Sequence, residues 1–234
     1  MKRVAWAFAA LTVAACSQQP AGKAPEAKTA ETAATPAAAA APNTAPAGAY
    51  KIDKTHASVT FRVNHLGMSN YTARFTGIDG ALQFDPANPT AMSVEASVDT
   101  KSIETDYPNS DVNFDAELAG AKWLDAGQFP KITFKSTKVE TTGPNTAKVT
   151  GDFTLHGVTK PLILDVTFNG GYASAAMDPN PRIGFSATGK IKRSEFGLGF
   201  GVPAPGSTFG VGDDVSIIIE AEFTGAAPAA KPAA

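Results

Sequence analysis

The chain contains three histidines, His56, His65 and His156, and their side chains are the best suited of all to metal binding or proton transfer near neutral pH. Residues 58–63, which read SVTFRV, alternate between polar and apolar types, the period of a strand with one buried face. Continuing that alternation places His65 on the apolar face and His56 on the opposite face. A metal centre needs several ligands that converge on one point. We therefore expect no metal site.

His65 stands where the apolar alternation ends, just before the loop-like stretch LGMSN. We interpret it as a residue at the mouth of a cavity, where its imidazole hydrogen-bonds a polar head group while Phe61 and Val63 contact an apolar tail. The alternative is a rim histidine that is hydrogen-bonded to protein groups only. His56 and His156 each lie beside a turn, and for both we expect a hydrogen bond to a backbone group.

Arg193, in the stretch KRSEFG, is the second polar candidate. Its guanidinium could pair bidentately with an anionic head group. It could equally bind a carboxylate such as Glu195 or Asp213 and so help to close the fold. The stretch FGLGFGVPAPGSTFG that follows is rich in glycine, but it lacks the strand-to-helix context and the lysine of a phosphate-binding loop. We interpret it as a mobile loop or lid at one end of the domain.

The sequence gives no support for nucleophilic catalysis. It has no G-x-S-x-G motif, and its single cysteine, Cys16, lies close to the start of the chain. The acidic pair Asp213 and Asp214 precedes a strand, as turn residues commonly do. We expect no catalytic residues.

Cys16 lies in a segment that looks like an export signal rather than a catalytic site. Lys2 and Arg3 precede the short apolar run VAWAFAALTVAA, and this order is typical of an export signal. The residues VAAC resemble the lipobox of bacterial lipoproteins, which implies that residues 1–15 form a signal peptide and that Cys16 is acylated. By the same resemblance Ser17 indicates the outer membrane, so we expect a lipid-anchored protein on the periplasmic side of the envelope.

The remaining chain divides by composition. Residues 16–49 form an Ala- and Pro-rich linker that lacks large aliphatic and aromatic side chains, so it cannot bury a core. The flexible tail 225–234 is similar, and residues 50–224 are long enough for one domain. Without the signal peptide the chain has 18 basic and 22 acidic side chains, a formal charge of −4. It has no basic run, so we expect no nucleic-acid partner.

Within the domain the dominant period is two. This alternation predicts about eight strands joined by short turns, hence an antiparallel sheet with one apolar face. The predicted strands lie around residues 58–63, 71–75, 80–84, 92–98, 132–139, 149–155, 162–168, 183–191 and 215–223.

The alternation is interrupted by residues 105–130. Here we predict a short helix that is capped by Asp111 and carries Phe114 and Leu118 on one face. A second helical turn would hold Trp123 and Leu124. This insert has apolar faces of its own, so we expect it to cover one end of the sheet.

Periodicity alone does not choose between a closed barrel and a two-layer sandwich. Four positions on the apolar faces are small, namely Ala96, Gly151, Ala187 and Gly189. In a barrel of about eight strands the interior is either filled by side chains or holds one ligand. Small inward residues favour the second case.

Several blocks in order resemble the YceI-like domain: YKIDKTHASVTFRVNHLGMS, FPKITFKSTKVE, VTGDFTLHGVTKPLILDVTF, KIKRSEFGLG and VGDDVSIIIEAEF. This resemblance implies a mostly β fold, an eight-stranded antiparallel lipocalin-like barrel with a short helical insert. It also implies an exported protein, and some members hold a polyisoprenoid or another long-chain amphiphile along the barrel axis. Many members have a His-Leu pair in the insert, where this chain has Glu117-Leu118.

We therefore expect an envelope protein that binds a long-chain isoprenoid or similar lipid, for carriage or sequestration, and needs no cofactor. Two alternatives are an enzyme or redox-stress factor that uses His65 and Arg193 on a bound lipid, and a ligand-free interaction module with a filled barrel. Self-association as a homodimer is left open. The predicted ligand-binding residues are Phe61, Val63, His65, Phe134, Phe153, Phe185 and Arg193.

Overall fold

The structure is a computed structural model, and it describes residues 42–109 and 111–226. The predicted signal peptide, Cys16 and most of the predicted linker and tail lie outside these residues. The described chain is mostly β. It comprises the strands β1 (Gly48–His65), β2 (Ser69–Phe75), β3 (Ile78–Phe84), β4 (Ser93–Asp99), β5 (Ile103–Glu104), β6 (Lys131–Gly143), β7 (Thr146–Leu155), β8 (Val158–Tyr172), β9 (Arg182–Lys192) and β10 (Val211–Gly225), the α-helix α1 (Phe114–Ala119) and three short 3-10 turns (Pro89–Ala91, Thr100–Ser102 and Arg193–Phe196).

The strands close into a barrel. Neighbours follow the order β1, β3, β4, β6, β7, β8, β9, β10, and β10 pairs again with β1, with every pairing antiparallel. The extra strands β2 and β5 extend the wall, because β2 pairs with the second half of β1 and β5 pairs with β2. The prediction of an eight-stranded antiparallel barrel is confirmed, and the pairing of β1 with β10 excludes the sandwich.

Alternation of side chains explains why these segments form barrel strands. In β7, Val149, Phe153 and Leu155 are buried while Asp152 between them is exposed. The same pattern continues round the wall, since Phe134 on β6 pairs with Phe153 across the ladder. One face of each strand therefore builds the interior, as the period of two predicts.

The two ends of the barrel differ. At the closed end, the start of β1 pairs with β3 and with the end of β10, so that Tyr50 faces Leu82 and Gly225. At the other end, which we call the mouth, His65 pairs with both Ser69 and Val211. The β1–β2 turn, the insert 105–130, the β7–β8 turn and the loop between β9 and β10 all lie at the mouth.

The insert differs from its prediction in two details. Asn113, not Asp111, caps α1, because its side chain stands next to the first helical residue and accepts a hydrogen bond from the Ala116 amide. Trp123 and Leu124 lie in a turn rather than in a second helical turn. The helix ends because Gly120 leaves the helical conformation. In the described part of the chain, no helix has the length and apolar character needed to cross a membrane.

Candidate ligand cavity

A cavity of about 790 Å³ runs through the barrel, within the usual size range of small-molecule pockets. Its walls are formed by aliphatic and aromatic side chains from all ten strands and from the insert. Of the four small residues noted in the sequence, Ala96 and Ala187 line it. Gly151 and Gly189 do not enlarge it, because a Cβ on them would lie 2.4 Å from the Phe134 ring and 2.8 Å from Leu164 respectively.

An aromatic cluster forms the floor of the cavity at the closed end. Rings follow one another from Tyr50 to Phe84 at 5.6 Å, from Phe84 to Phe168 at 5.8 Å and from Phe168 to Phe185 at 5.3 Å between centroids. Phe185 also packs edge-on against Phe223 at 6.1 Å. Phe185 and Phe223 line the cavity while the rings behind them seal it. An apolar chain entering from the mouth would end against this cluster.

The structure brings all the predicted ligand-binding residues to this one cavity. Val63, Phe134 and Phe153 are buried in its wall, Phe185 belongs to its floor, and the half-buried Phe61 lies on the mouth half of β1. The predicted residues that line the cavity, together with many others, are Phe61, Val63, His65, Phe134, Phe153, Phe185 and Arg193.

His65 occupies the rim. It is the last residue of β1, it is exposed, and its side chain borders the cavity, whereas the exposed His56 does not. His65 thus lies on the cavity side and His56 does not, as predicted, although His56 lies in the irregular stretch of β1 between Ile52 and Ala57. Within the described part of the chain the His65 ring forms no hydrogen bond, so both ring nitrogens are available to a ligand or to water.

Arg193 has a structural role, but with partners that the sequence did not indicate. Its side chain is 6% exposed, and its guanidinium donates to the carbonyls of Leu198, Phe200, Val211 and Gly212 at 2.6–2.8 Å. The predicted carboxylate contacts are wrong. Glu195 pairs with Lys160, and Asp213 accepts from Ser194. The backbone carbonyls reach Arg193 first because the loop between β9 and β10 folds around it.

That loop covers part of the mouth and contacts the insert. The ring of Trp123 packs edge-on against Phe200 at 5.0 Å, and Lys122 Nζ lies 3.9 Å from the centroid of the same ring. Arg193 lies over the Trp123 ring, with Cζ 5.8 Å from its centroid. The loop that we interpreted as mobile or as a lid is thus held in place by hydrogen bonds from Arg193 and by ring contacts with the insert.

Two buried polar atoms near the mouth have no hydrogen-bond partner, Tyr71 Oη and Trp123 Nε1, and both residues line the cavity. The hydroxyl of Thr105 is close to Tyr71 but not in hydrogen-bond geometry with it, and it donates to Asp115. Burial raises the pKa of Tyr71 above its usual value, so the hydroxyl keeps its proton. Buried polar groups without partners are rare and cost about 1–3 kcal/mol each. A ligand atom that accepts hydrogen bonds would remove this cost.

Sequence reasoning missed Tyr71 as a polar site residue. It lies on β2 with its ring against Phe114 at 6.1 Å, and it pairs with Val63 across the ladder. Its inward face was readable from the alternation with Ala73 and Phe75. The lack of a partner for its hydroxyl depends on how the insert packs, which no local pattern indicates. Glu117 also borders the mouth and is exposed.

A polar network lies outside the barrel at the closed end. Ligand atoms of Asp53, His56 and Glu222 lie within 4.8 Å of one another, a spacing that a metal ion could use. Arg182 Nη1 stands among them, 2.6 Å from Asp53 and 2.7 Å from Glu222, and supplies the positive charge. Hydrogen bonds from Thr55, Arg182 and His56 hold the pKa of Asp53 far below its usual value. We interpret this group as an ion-pair network.

The expected backbone contacts of two histidines are not found. His56 Nδ1 contacts the side chains of Asp53 and Thr55. His156 adopts a left-handed conformation in the β7–β8 turn, with φ at 51°, and its ring packs on Phe129 at 4.3 Å between centroids. The His56 ring is held by side chains of its own irregular stretch of β1, between Ile52 and Ala57, whereas the His156 ring is held by Phe129 of the insert.

Comparison with known sequences gives a consistent result. A family model described as the YceI-like domain matches residues 50–223. The chain is 39% identical over 161 residues to a UPF0312 protein of Vibrio cholerae, covering 67% of this chain and 81% of that protein. It is also 39% identical over 166 residues to a UPF0312 protein of Pseudomonas putida, covering 69% and 80% of the two chains.

Solved structures share the architecture. BcnA of Burkholderia cenocepacia superposes with a TM-score of 0.60 at 24% identity, covering 73% of this chain and 98% of that one. A YceI protein of Campylobacter jejuni gives 0.57 at 28% identity, covering 70% and 90%. A domain of Saccharophagus degradans, described as polyisoprenoid binding, gives 0.53 at 15% identity, covering 76% and 98%. At 24% and 15% identity, the Burkholderia and Saccharophagus structures show that the fold is shared with this chain and nothing more.

Proposed function

The chain belongs to the YceI-like family, and on that premise we propose that its barrel binds one long-chain isoprenoid or similar amphipathic lipid and carries or sequesters it without chemical change. The observation that carries this proposal is the cavity, whose wall is apolar along its length and whose polar atoms gather at one end. A filled barrel acting only as an interaction module does not suit an interior of about 790 Å³.

The energetics favour such a ligand. If each non-hydrogen atom takes roughly the 30 Å³ of a liquid water molecule, a cavity of 790 Å³ holds on the order of 25 such atoms. Burying that many methylene-like groups at about 0.8 kcal/mol each yields roughly 20 kcal/mol. Association costs about 4–15 kcal/mol. A surplus remains, so a lipid of this length is held firmly although it is nearly insoluble in water.

The two ends of the cavity orient the ligand. The tail points to the aromatic floor, and the head group lies at the mouth beside Tyr71, Trp123 and His65. Tyr71 Oη and Trp123 Nε1 both have a proton to donate, so the head group carries hydrogen-bond acceptors. Glu117 borders the same mouth and repels an anion. An uncharged acceptor such as a quinone carbonyl therefore fits better than a prenyl phosphate.

We further propose that acylated Cys16 anchors the protein on the periplasmic face of the outer membrane. The lipobox-like VAAC and the Ala- and Pro-rich linker support this assignment. The described chain begins at the closed end, where Gly171 donates to the carbonyl of Pro42. Replacement of Cys16 by Ser should release the protein from membranes, and persistent membrane association would argue against the anchor.

The binding proposal is tested by solvent extraction and mass spectrometry of the full purified chain. We expect an unmodified long-chain lipid in near-stoichiometric amount. Ala187 lines the cavity, so Ala187→Phe should displace the lipid, whereas Thr188→Phe places the same side chain on the outer face and should retain it. Ala187→Leu provides a smaller intrusion if the phenylalanine prevents folding.

Three results would contradict the proposal. The first is an empty barrel in the wild type, and the second is equal lipid content in the Ala187 and Thr188 variants. The third is turnover of an added lipid that disappears in His65→Ala, because it would favour an enzyme over a carrier.

A further inference from the structure

We propose that the mouth docks on the surface of an uncharged phospholipid bilayer through a docking face formed by Met68, Tyr107, Val112, Phe200 and Phe209. This inference rests on the proposed function, because a bilayer is where a ligand of this kind resides. It assigns a surface and a partner to loops that binding inside the cavity does not itself require.

Exposure singles out this end of the molecule. Phe209 is 83% exposed and Met68 77%, and the exposed fractions of Phe200, Tyr107 and Val112 lie between 42% and 48%. Among the described residues only two other large apolar side chains are strongly exposed, Ile163 and Met177, and they lie apart from this end. Single exposed apolar residues are ordinary, whereas a cluster marks an interaction site.

The loops that carry these residues form one rim. The Leu66 amide donates to the carbonyl of Gly210, and a Cβ on Gly67 would lie 3.0 Å from Thr208, so the turn with Met68 packs beside the loop with Phe209. Through Trp123 the same loop reaches the insert. In the insert, Tyr107 packs on Phe114 at 5.1 Å. The docking face thus surrounds the opening on several sides.

Charge indicates which kind of bilayer fits. Residues 66–72 and 197–212 contain no Asp, Glu, Lys, Arg or His. The insert adds the acidic side chains Asp106, Asp111 and Glu117 and one cation beside the face, Lys122, so its net charge there is negative and gives an anionic surface no attraction. Apolar contact with an uncharged bilayer avoids the desolvation of charges and is insensitive to salt.

The docking face is continuous with the cavity. Tyr107 and Val112 are exposed and also line the cavity, so the opening lies within the face rather than beside it. A lipid could pass from a docked bilayer into the barrel without exposing its tail to water. A soluble partner or a second copy of the chain would cover the same side chains, but neither would account for this continuity.

The test uses the full chain carrying Cys16→Ser, with one new cysteine for a polarity-sensitive fluorophore. Phe209→Cys places the label on the docking face, and Met177→Cys, at a residue that is 99% exposed near the closed end, is the matched control. With phosphatidylcholine vesicles we expect a blue shift and quenching by brominated lipid at position 209 only, unchanged when salt is raised. Association through the N-terminal segment alone would leave both labels in water.

A second variant separates docking from ligand binding. In Met68→Ser/Phe209→Ser we expect vesicle partitioning to fall at least tenfold, while lipid extracted from the purified protein stays at the wild-type amount. Neither residue lines the cavity. If no lipid is extracted from the wild type, the proposed function is wrong. The docking proposal is judged separately, from the fluorophores at positions 209 and 177.

Four outcomes would overturn the docking proposal. These are no shift at position 209, equal shifts at both positions, binding that requires anionic lipid and disappears in high salt, and concentration-dependent dimerisation that the double variant abolishes. The last outcome would assign the face to a second copy of the chain.

Discussion

The closed end and the mouth of the barrel are built on opposite principles. At the closed end, aromatic rings pack on one another, and outside them Arg182 pairs with Asp53, Asp178 and Glu222. At the mouth, two buried polar atoms lack partners and large apolar side chains face the solvent. At the closed end the polar and aromatic side chains find their partners within the protein. At the mouth, a ligand could accept hydrogen bonds from the unpartnered polar atoms, and a surface could cover the exposed apolar side chains.

This difference shows how one fold divides its tasks. A barrel needs few strong contacts to stay closed once β1 and β10 are paired, and the closed end provides them. The mouth is then free to keep unsatisfied donors and exposed apolar residues, which reduce stability but serve binding. If this division is right, equivalent substitutions at the two ends have unequal effects on stability.

The largest difference is expected for a pair of phenylalanines. Phe84 is 3% exposed in the closed-end cluster, so Phe84→Ala should lower the free energy of unfolding by about 3–5 kcal/mol. Phe209 is 83% exposed at the mouth, and Phe209→Ala should change it by less than about 0.5 kcal/mol. Urea denaturation measures both. Similar losses in the two variants would remove the contrast between the ends.

Arg193 is the exception at the mouth, and its substitution sharpens the comparison. A lysine ammonium cannot reach four separate carbonyls, so Arg193→Lys should cost on the order of 3 kcal/mol. Its exposed neighbour Lys192 pairs with Asp214 on the surface, and Lys192→Met should cost less than about 1 kcal/mol. Hydrogen exchange should locate the Arg193→Lys effect in residues 197–212, and a uniform change would contradict a local role.

Much of the barrel could be predicted from the sequence, because its strands obey a period of two. The alternation predicts the strands and their inward face, and the large wall residues predicted to bind ligand, Phe61, Val63, Phe134, Phe153 and Phe185, all line the cavity. Closure could not be derived in this way. The pairing of β1 with β10 joins segments at opposite ends of the domain, and only the resemblance to a family implied it.

The mouth was harder to predict than the wall. Its structure depends on contacts between the insert and the loop between β9 and β10, neither of which has a period. Arg193 illustrates the difficulty, since its type suggested a carboxylate partner while the folded loop presents carbonyls. Trp123 was read as an apolar helical residue, and the isolation of its Nε1 emerged only from the packing.

Acid should weaken the ion-pair network at the closed end. The pKa of Asp53 is lowered in the folded state by hydrogen bonds from Thr55, Arg182 and His56. Such a group stabilises the fold above its unfolded pKa of about 3.9, and that contribution is lost as the pH falls towards the folded pKa. Asp53→Asn should therefore be less stable than wild type at neutral pH, by less than the Arg193→Lys effect, and the two unfolding curves should converge below about pH 4. A difference that stays constant with pH would mean that Asp53 contributes no such linkage.

The smallest expected change is also the one with opposite signs for stability and binding. Removing an unpartnered buried hydroxyl removes its desolvation cost, so Tyr71→Phe should leave the empty barrel as stable as wild type or more stable by up to about 1 kcal/mol. The same variant should retain less lipid after extraction, because the head group loses a donor. Tyr50→Phe is the matched control at the closed end, where the hydroxyl donates to Pro46, and it should lose stability while keeping its lipid. Suppose instead that Tyr71→Phe destabilises the empty barrel and binds lipid normally. The Tyr71 hydroxyl would then stabilise the fold, and the mouth would satisfy its own polar groups as fully as the closed end does.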